Sequence, residues 1–344
     1  MPDESRGKLL LVGPYVPRRC GIAAYVVQLE AALKAAGYQV DVLSPPDCAG
    51  TIREELRGGL RILNLLKYGP AYDTVNIHFE PSEYFLFGRN PIRALNIFTL
   101  LAFWHLFRRL KNLNVVVHEP PPVRHFIQRT PLHRFVWSKV PKITFFTNTE
   151  RAAFEGGYGI RYSPGQCVVE DVGKSNLKYC AASKREVRQR MQIHPRKFVF
   201  LCVGFIHRNK GFDRIARVFR AGAFHNSELY IVGSVRLDYD VDSQKHLGEL
   251  ARECAKSGNI HLINKYLTNE ELDEWIVAAD YIVVPYRLIS NSGILGRAKT
   301  YGKRAIVSDV GGLPEQIGLN DFVFSNELEL QRIVAGLDSD VQLA

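Results

Sequence analysis

Residues 289–317 read ISNSGILGRAKTYGKRAIVSDVGGLPEQI and follow an apolar run at 281–285. The two apolar runs, 281–285 and 305–308, predict buried strands. Between them, the polar residues 290–293 predict a loop, and the residues up to Tyr301 predict a short helix that ends at Gly302. Strand, loop, helix and strand form a βαβ unit, whose loop lies at the carboxyl edge of the sheet, where α/β proteins bind ligands. Because a helix amino terminus there offers unpaired N–H groups, the stretch predicts a phosphate-binding unit.

The length and the order of predicted elements indicate two domains. The 344 residues are 46% hydrophobic, which is enough for two cores of ordinary size. The strand-loop-helix pattern ends at 173–176 and begins again near Lys197. We therefore predict one Rossmann-like, doubly wound domain over 1–176 and a second over 177–344.

The charge indicates acidic partners. The formal net charge is +10, which favours nucleotides, anionic lipid headgroups or nucleic acid. Nucleic acid is disfavoured, because we find no recognition motif and no stacking platform. The six cysteines form no CxxC pair and no metal-ligand spacing, which is typical of reduced core thiols in a cytoplasmic protein. The polar start leads directly into a strand and does not resemble a signal peptide.

The first half opens with a strand, a loop and a helix, over 8–36. Its loop lacks the GxGxxG fingerprint, which disfavours a nicotinamide cofactor. Gly21 at the helix start suits close approach of a substrate, or forms an ordinary tight turn. Two later strands, 74–78 and 113–118, each end in a histidine, His78 and His118. Because polar side chains at the carboxyl ends of parallel strands point to the crevice, we predict a functional role for His118, whereas a structural role is favoured for His78.

Residues 89–139 combine basic residues with an apolar helix at 94–107. The segment contains one acidic residue, Glu119. Its nine basic residues are Arg89, Arg93, Arg108, Arg109, Lys111, Arg124, Arg129, Arg134 and Lys139. The helix is too short to span a bilayer. Basic flanks around an aromatic-rich helix predict peripheral contact with an anionic membrane. The alternative is a core helix with solvated ends.

The second half repeats the pattern with a strand at 198–203 and a loop at 204–211. In this loop, Arg208 and Lys210 can reach a phosphate, since arginine gives a bidentate clamp and lysine a point charge. The alternative is a solvated basic loop. Two such domains with facing carboxyl edges would form a cleft, and we expect the ligand between them.

These motifs together resemble the retaining glycosyltransferases of the GT-B fold, family 4 type. The most specific segments are VGFIHRNKGFD at 203–213, LYIVG at 229–233 and SDVGGLPE at 308–315. The resemblance implies that Arg208, Lys210 and the backbone of Ser292 and Gly293 bind the donor diphosphate. It further implies that the base stacks near Lys265 and Tyr266. Gly21 would lie on the acceptor side and His118 would contact the donor sugar.

Three positions depart from the family pattern. Two glutamates that usually bind the sugar and the ribose are replaced by Ile289 and Arg297, and an arginine is replaced by Phe205. Arginine cannot accept hydrogen bonds from ribose hydroxyls. We therefore predict that Arg297 binds phosphate instead and that Ser290 and Asn291 contact the sugar.

The resemblance implies a hexosyltransferase that moves a sugar from a nucleotide diphosphate sugar to a membrane-associated or glycan acceptor with retention of configuration. The resemblance implies that the reaction needs no metal and no further cofactor. It also implies that the protein acts in the assembly of cell-surface polysaccharide or glycolipid. We expect a cytoplasmic protein that works at the inner face of the membrane. The alternative, based on the missing glutamates, is a catalytically silent GT-B protein that binds a partner or a glycan.

Overall fold

The computed structural model describes residues 6–86, 92–120, 130–236 and 240–340, with the side chains of 92–94 and 340 left out. The chain divides into two compact units, Met1–Ser175 and Asn176–Ala344. Each unit contains one parallel sheet covered by helices. We describe the two units separately.

The first unit contains seven strands and six α-helices in the part of the chain described. The strands are β1 Lys8–Val12, β2 Gln39–Ser44, β3 Ile52–Arg53, β4 Thr74–Phe79, β5 Leu113–Val117, β6 Lys142–Phe145 and β7 Cys167–Val169. The helices are α1 Gly21–Ala35, α2 Leu65–Tyr68, α3 Pro81–Tyr84, α4 Ile92–Arg109, α5 Pro131–Trp137 and α6 Asn148–Tyr158.

The strand order of the first sheet is β3-β2-β1-β4-β5-β6-β7, and every neighbouring pair is parallel. β5 is buried along its whole length, as its uninterrupted apolar pattern predicts. An aromatic cluster around Trp137 and Phe103 fills the space between the sheet and helices α4, α5 and α6. This core fixes the carboxyl ends of β4 and β5, where the two strand-end histidines lie.

The second unit contains six strands and six α-helices in its described residues. The strands are β8 Phe198–Val203, β9 Ser227–Gly233, β10 Ile260–Asn264, β11 Tyr281–Val284, β12 Arg304–Ser308 and β13 Phe322–Phe324. The helices are α7 Lys184–Arg190, α8 Phe212–Ala221, α9 Val241–Cys254, α10 Asn269–Ala278, α11 Gly293–Thr300 and α12 Glu327–Asp340.

The strand order of the second sheet is β10-β9-β8-β11-β12-β13, again with parallel neighbours. The order reverses direction beside β8, so the loops after β8 and β11 meet at the switch point where such sheets bind ligands. Thr268 and Glu271 form a capping box at the start of α10, with the Thr268 backbone N–H donating to the Glu271 carboxylate over 2.9 Å. All six cysteines are free and buried, as predicted for core thiols.

Candidate functional site

The loops after β8 and β11 interlock at the carboxyl edge of the second sheet. The backbone N–H of Arg287 donates to the backbone carbonyl of Asn209 over 2.7 Å. Gly211 has φ +62°, and a Cβ there would overlap the carbonyl of Pro285. Only glycine fits this approach, so the two loops are fixed against each other at the predicted phosphate site.

An ion pair reinforces the contact between these loops. Arg287 donates from both terminal nitrogens to Asp213, over 2.7 and 2.6 Å, and Arg217 donates to the same carboxylate over 2.7 Å. Burial alone would raise the pKa of Asp213, but the hydrogen bonds and charges of Arg287 and Arg217 outweigh it and hold the pKa at about 2. The carboxylate therefore stays ionised at neutral pH and anchors Arg287.

Lys210 presents an ammonium group to the same edge of the sheet. Its Nζ lies 3.8 Å from the ring centroid of Tyr286, which is buried below it. No hydrogen bond or ion pair to this Nζ occurs among the described residues. A cation held over an aromatic ring without an anion partner can bind an incoming phosphate without first breaking an ion pair.

Arg208, the other predicted phosphate ligand, has a different environment. Its side chain is 60% exposed and pairs with Glu249 of α9 over 3.0 Å. A phosphate would have to compete with that carboxylate for the guanidinium. The geometry thus favours Lys210 over Arg208 as the main cation of the site.

The amino terminus of α11 is the second anion-binding feature. Ser292 precedes the helix but makes no side-chain capping hydrogen bond, and its Oγ is buried without a partner in the described part of the molecule. The backbone N–H of Ser292 donates to Oε1 of Gln316 over 2.7 Å, which fixes the residue that precedes the helix. Gly293 is exposed, with open space where a side chain would stand. The first turn of α11 therefore directs N–H groups toward a position that an anion can occupy.

The turn after β12 supports the loop that carries Ser290 and Asn291. The Gly312 N–H donates to the Ser290 carbonyl over 3.0 Å. Gly311 has φ +56°, and a Cβ there would overlap the Ile289 carbonyl. This close approach explains the first glycine of the pair, and both predicted sugar-binding residues are partly buried in a fixed loop.

Arg297 does not face the predicted ligand site. Its Nε ion-pairs with the fully buried Asp273, and its two terminal nitrogens donate to the side chain and the carbonyl of Asn269, each over 2.8 Å. Asp273 also accepts from the Tyr301 hydroxyl and, over 2.7 Å, from the Tyr179 N–H. Arg297 is only 2% exposed, so its donors are used inside the unit. This placement argues against the predicted phosphate contact and gives Arg297 a structural role.

Lys265 and Tyr266 follow β10 at the same edge, as expected. The Lys265 ammonium pairs with Glu271, and the Lys265 backbone N–H donates to the Gly233 carbonyl over 2.9 Å. The Tyr266 ring lies 6.3 Å from the ring of Phe205, centroid to centroid. The structure thus brings together the loops that carry Phe205, Lys210, Gly293 and Tyr266.

In the first unit, Gly21 is the first residue of α1. Cys20 caps this helix, with its Sγ accepting from the Ala23 N–H over 3.3 Å. Gly21 is exposed, and a Cβ at this position would meet nothing within 4 Å. The absence of a side chain there leaves space for a ligand to approach the helix terminus.

The strand-end histidines form a buried pair. His78 Nδ1 lies 3.0 Å from His118 Nε2, and the Tyr25 ring packs edge-on against both. Burial lowers the pKa of His78 to about 3. Burial, and to a smaller extent the neighbouring His78, hold the pKa of His118 well below its ordinary value. Both rings are therefore neutral at pH 7, and one proton is shared between the two facing nitrogens.

Lowering the pH is expected to destabilise the first unit. Folded His78 stays neutral down to about pH 3, whereas an unfolded histidine protonates near 6.5. Because the unfolded chain then binds more protons, stability rises with pH across this window, by up to about 1.4 kcal/mol per pH unit for each such histidine. Urea unfolding at pH 7, 6 and 5, followed by Trp104 and Trp137 fluorescence in a Trp275→Phe background, measures this slope.

His78→Asn should flatten the slope, whereas replacement of the exposed His225 by asparagine should leave it unchanged. An unchanged slope in His78→Asn would contradict the neutral pair.

Some residues of this region were not predicted from the sequence. Asp213 and Arg287 lie 74 positions apart, and only the tertiary structure shows that they pair. Tyr286 directly follows a predicted strand, which gave a weak signal, and Gln316 gave none. The three prolines at 120–122, after Glu119, predict a rigid loop, and residues 121–129 lie outside the described part of the chain.

Comparison with known proteins gives a family match for the second unit. Residues 183–340 match the family model described as glycosyl transferases group 1. No characterised protein sequence matches the chain.

Solved structures match nearly the whole chain. Sucrose-phosphate synthase from Thermosynechococcus elongatus aligns with a TM-score of 0.70 at 16% identity, over 98% of this chain and 91% of that one. Anabaena Alr3699/HepE in complex with UDP-glucose aligns with a TM-score of 0.65 at 13% identity, over 98% and 91%. WaaG, a glycosyltransferase involved in lipopolysaccharide biosynthesis, aligns with a TM-score of 0.61 at 17% identity, over 97% and 91%.

At these identities the likeness concerns the fold. It agrees with the two parallel α/β sheets described above, and the predicted GT-B fold is confirmed.

Proposed function

We propose that the protein is a glycosyltransferase that uses a nucleotide diphosphate sugar as its donor. The observation that carries this proposal is that the Lys210 ammonium, which has no anion partner among the described residues, and the uncapped amino terminus of α11 occur at the same edge of the second sheet. Both lie within the segment that matches the glycosyltransferase model. A similar fold binds UDP-glucose in Anabaena HepE, which supports the choice of donor.

The proposed reaction breaks the bond between the anomeric carbon and the diphosphate oxygen and forms a bond from that carbon to an acceptor hydroxyl oxygen. The electron pair of the broken bond stays on the diphosphate, so negative charge develops there. Lys210 and the N–H groups of α11 would stabilise that charge, a contribution that is typically large in such sites. The acceptor proton passes to the leaving diphosphate, as the family resemblance implies, with retained anomeric configuration.

We propose roles for the remaining predicted residues. Ser290, Asn291 and the backbone N–H of Gly293 lie in one fixed loop and are suited to sugar hydroxyls and phosphate, whereas the Ser292 backbone N–H already donates to Gln316. For His118 of the first unit, whose ring is neutral, the proposed role is the one that the resemblance implies, contact with the donor sugar. The acceptor is proposed to be a lipid-linked or other glycan, and neither a metal ion nor a further cofactor enters the proposal.

A panel of nucleotide diphosphate sugars, incubated with the protein and an extract that supplies acceptors, tests this proposal. We expect release of one nucleoside diphosphate that depends on both donor and acceptor. Release from no donor would refute the enzyme, and nucleotide binding without release would favour the catalytically silent alternative.

The first unit has an exposed apolar surface on α4 and α5, which we name the α4–α5 surface. Ile97, Phe98, Leu101 and Trp104 share one face of α4, and Phe135 of α5 lies next to Trp104, with 6.2 Å between ring centroids. Ile97, Phe98, Leu101 and Phe135 are each 41–51% exposed, and they account for four of the fourteen exposed large apolar side chains in the described residues. Such a cluster indicates an interaction surface.

Basic residues surround the α4–α5 surface. The Arg108 guanidinium lies 5.0 Å from the Trp104 ring centroid, and the Lys139 ammonium lies 5.8 Å from that of Phe135. Arg109, Lys111 and Arg134 are also exposed here, whereas Arg89, Arg93, Arg124 and Arg129 lie outside the described side chains. In the described residues no helix is long and apolar enough to cross a bilayer. We propose that this surface rests on an anionic membrane at the cytoplasmic face.

The double substitution Phe98→Ser and Leu101→Ser is expected to weaken binding to vesicles of phosphatidylcholine and phosphatidylglycerol by about tenfold or more, because two apolar side chains no longer leave water. Sedimentation with vesicles measures the bound fraction. Leu319→Ser, at a fully exposed leucine of the second unit, is the control and should bind as the wild type does. Equal binding by both variants, or self-association of the wild type through this face, would contradict the membrane assignment.

A further inference from the structure

A groove of about 270 Å³ lies between helices α8 and α9 of the second unit. Its walls are formed by residues of the two helices and of the loop before α8, namely Arg208, Asp213, Arg217, Arg220, His246, Glu249, Leu250 and Glu253. The three from α8 have the spacing of one helix face. Arg220 lies in the last turn of α8, so the groove extends along the helix away from the predicted diphosphate site.

His246 is a buried side chain of this groove with no partner in the described part of the chain. It is 2% exposed, and neither Nδ1 nor Nε2 makes a hydrogen bond to any described residue. Burial lowers the pKa of His246, so its ring is neutral at pH 7 and has one N–H donor and one acceptor nitrogen. Because unpaired buried polar atoms cost free energy, a ligand that supplies both partners would stabilise this region.

Cations outnumber carboxylates around the groove. Arg208 pairs with Glu249 over 3.0 Å and Arg220 pairs with Glu253 over 2.6 Å, each through a single terminal nitrogen in the described structure. The ion pairs here join six cations, Arg208, Arg214, Arg217, Arg220, Lys256 and Arg287, to four carboxylates, Asp213, Glu249, Glu253 and Glu327. Because a guanidinium has five N–H donors, Arg208 and Arg220 keep donors for a second acceptor. The excess of positive charge and of donors favours an anion.

We propose that this groove binds a small phosphate monoester that also carries hydroxyl groups. The phosphate would accept hydrogen bonds from Arg217, Arg220 and the His246 N–H, since guanidinium groups match phosphate oxygens in geometry and charge. Phosphate is favoured over a carboxylate because its tetrahedral oxygens can reach several donors at once. A ligand hydroxyl would donate to the other nitrogen of His246.

The size of the groove and the exposure of its rim agree with this ligand. The volume equals that of about nine water molecules at about 30 Å³ each, which exceeds one phosphate and leaves room for a short organic chain. The Glu249 side chain is 37% exposed, so it can turn aside and give the ligand access to the buried ring of His246. This proposal does not rest on the proposed function, because it concerns a separate site.

Calorimetric titration of the Lys210→Ala variant with glycerol 3-phosphate tests this proposal, because that variant lacks the main cation of the proposed donor site. We expect one bound ligand per chain. In that background Arg220→Gln and His246→Leu should each weaken binding about tenfold or more, the usual effect of losing a hydrogen bond to a charged group. Glu253→Gln should tighten binding, because the neutral amide competes less for Arg220.

Arg252→Gln is the matched control. Arg252 has the same charge as Arg220, and it is exposed on α9 outside the groove, so its replacement should leave binding unchanged. Equal weakening by Arg252→Gln and Arg220→Gln would show that general basicity, and no specific site, attracts the ligand.

Thermal melts without ligand give a second readout. His246→Leu should melt no lower than its parent, because the apolar side chain removes two buried polar atoms that have no partner in the described structure. A melting temperature several degrees lower would show that the ring has a structural partner, which contradicts the proposal.

The choice of compounds separates the remaining outcomes. If inorganic phosphate binds Lys210→Ala as tightly as glycerol 3-phosphate does, the monoester assignment is wrong. If the wild type binds glycerol 3-phosphate and Lys210→Ala does not, the anion occupies the proposed donor site and the groove carries no site. If neither protein binds either compound, the groove site is refuted, whereas the donor is still tested by nucleotide sugars.

Discussion

Arg297→Ala is expected to lower the free energy of unfolding of the second unit by about 3–5 kcal/mol, the usual effect of removing one partner of a buried ion pair. The substitution leaves the carboxylate of Asp273 fully buried with no cation, since Arg297 is its only ion-pair partner among the described residues. Arg297→Glu introduces the residue that is usual in the family that the sequence resembles. It should lower the free energy of unfolding further, because it buries a second negative charge beside the first. Urea unfolding followed by Trp275 fluorescence measures the loss.

Arg190→Ala is the matched control for this prediction. Arg190 pairs with Glu274 of the same helix α10, but its side chain is 55% exposed, so its loss should cost less than about 1 kcal/mol. The double variant Arg297→Met with Asp273→Asn should recover part of the stability, because the amide removes the charge and still bonds to Tyr301. A stable Arg297→Ala variant, or one no less stable than Arg190→Ala, would show that the pair is not structural.

Lys210→Ala is expected to reduce the rate of sugar transfer by about 10²–10³-fold, the range found when one preorganised donor to a developing negative charge is removed. In the described structure the Lys210 ammonium has no hydrogen bond or ion pair to lose, only its contact with the Tyr286 ring, so the effect on the rate should come from the ligand and the melting temperature should change little. Initial rates with the active nucleotide sugar, together with a thermal melt, measure both quantities.

Arg208→Ala distinguishes the specific site from general basicity. Arg208 has the same charge, belongs to the same loop and pairs with Glu249, so its loss should reduce the rate several-fold less than the loss of Lys210. Lys210→Arg should keep part of the activity. Equal rates for Lys210→Ala and the wild type would show that no diphosphate binds beside Tyr286.

Much of the fold could be predicted because local patterns and global arrangement agree. The continuous apolar runs of β5, β8 and β11 indicate strands buried on both faces, and the helices between them require parallel connections. The short β3 escaped prediction, since Ile52–Arg53 is too brief to show a period. A helix end marked by glycine was easier, since the predicted end of α11 near Tyr301 lies within one residue of the observed end at Thr300.

The site was harder to predict because its chemistry depends on partners distant in sequence. Lys210 and Arg208 look equivalent in sequence, yet Glu249 of α9 pairs with one and Tyr286 of β11's loop underlies the other. The sequence predicted Arg297 as a phosphate ligand, but its side chain pairs with the buried carboxylate of Asp273, 24 residues earlier. The charge of a side chain can be read from sequence, whereas the direction in which it points depends on such long-range contacts.

The interlocked loops after β8 and β11 have a consequence for how a ligand binds. Hydrogen bonds from Arg287 to Asn209 and to Asp213, and the glycine contact at Pro285, already fix these loops without a ligand. Binding therefore requires little loss of conformational entropy, which otherwise opposes association by about 0.5–1.5 kcal/mol for each side chain immobilised. A donor should meet a rigid surface and associate quickly, so that differences in affinity between donors appear mainly as differences in dissociation rate.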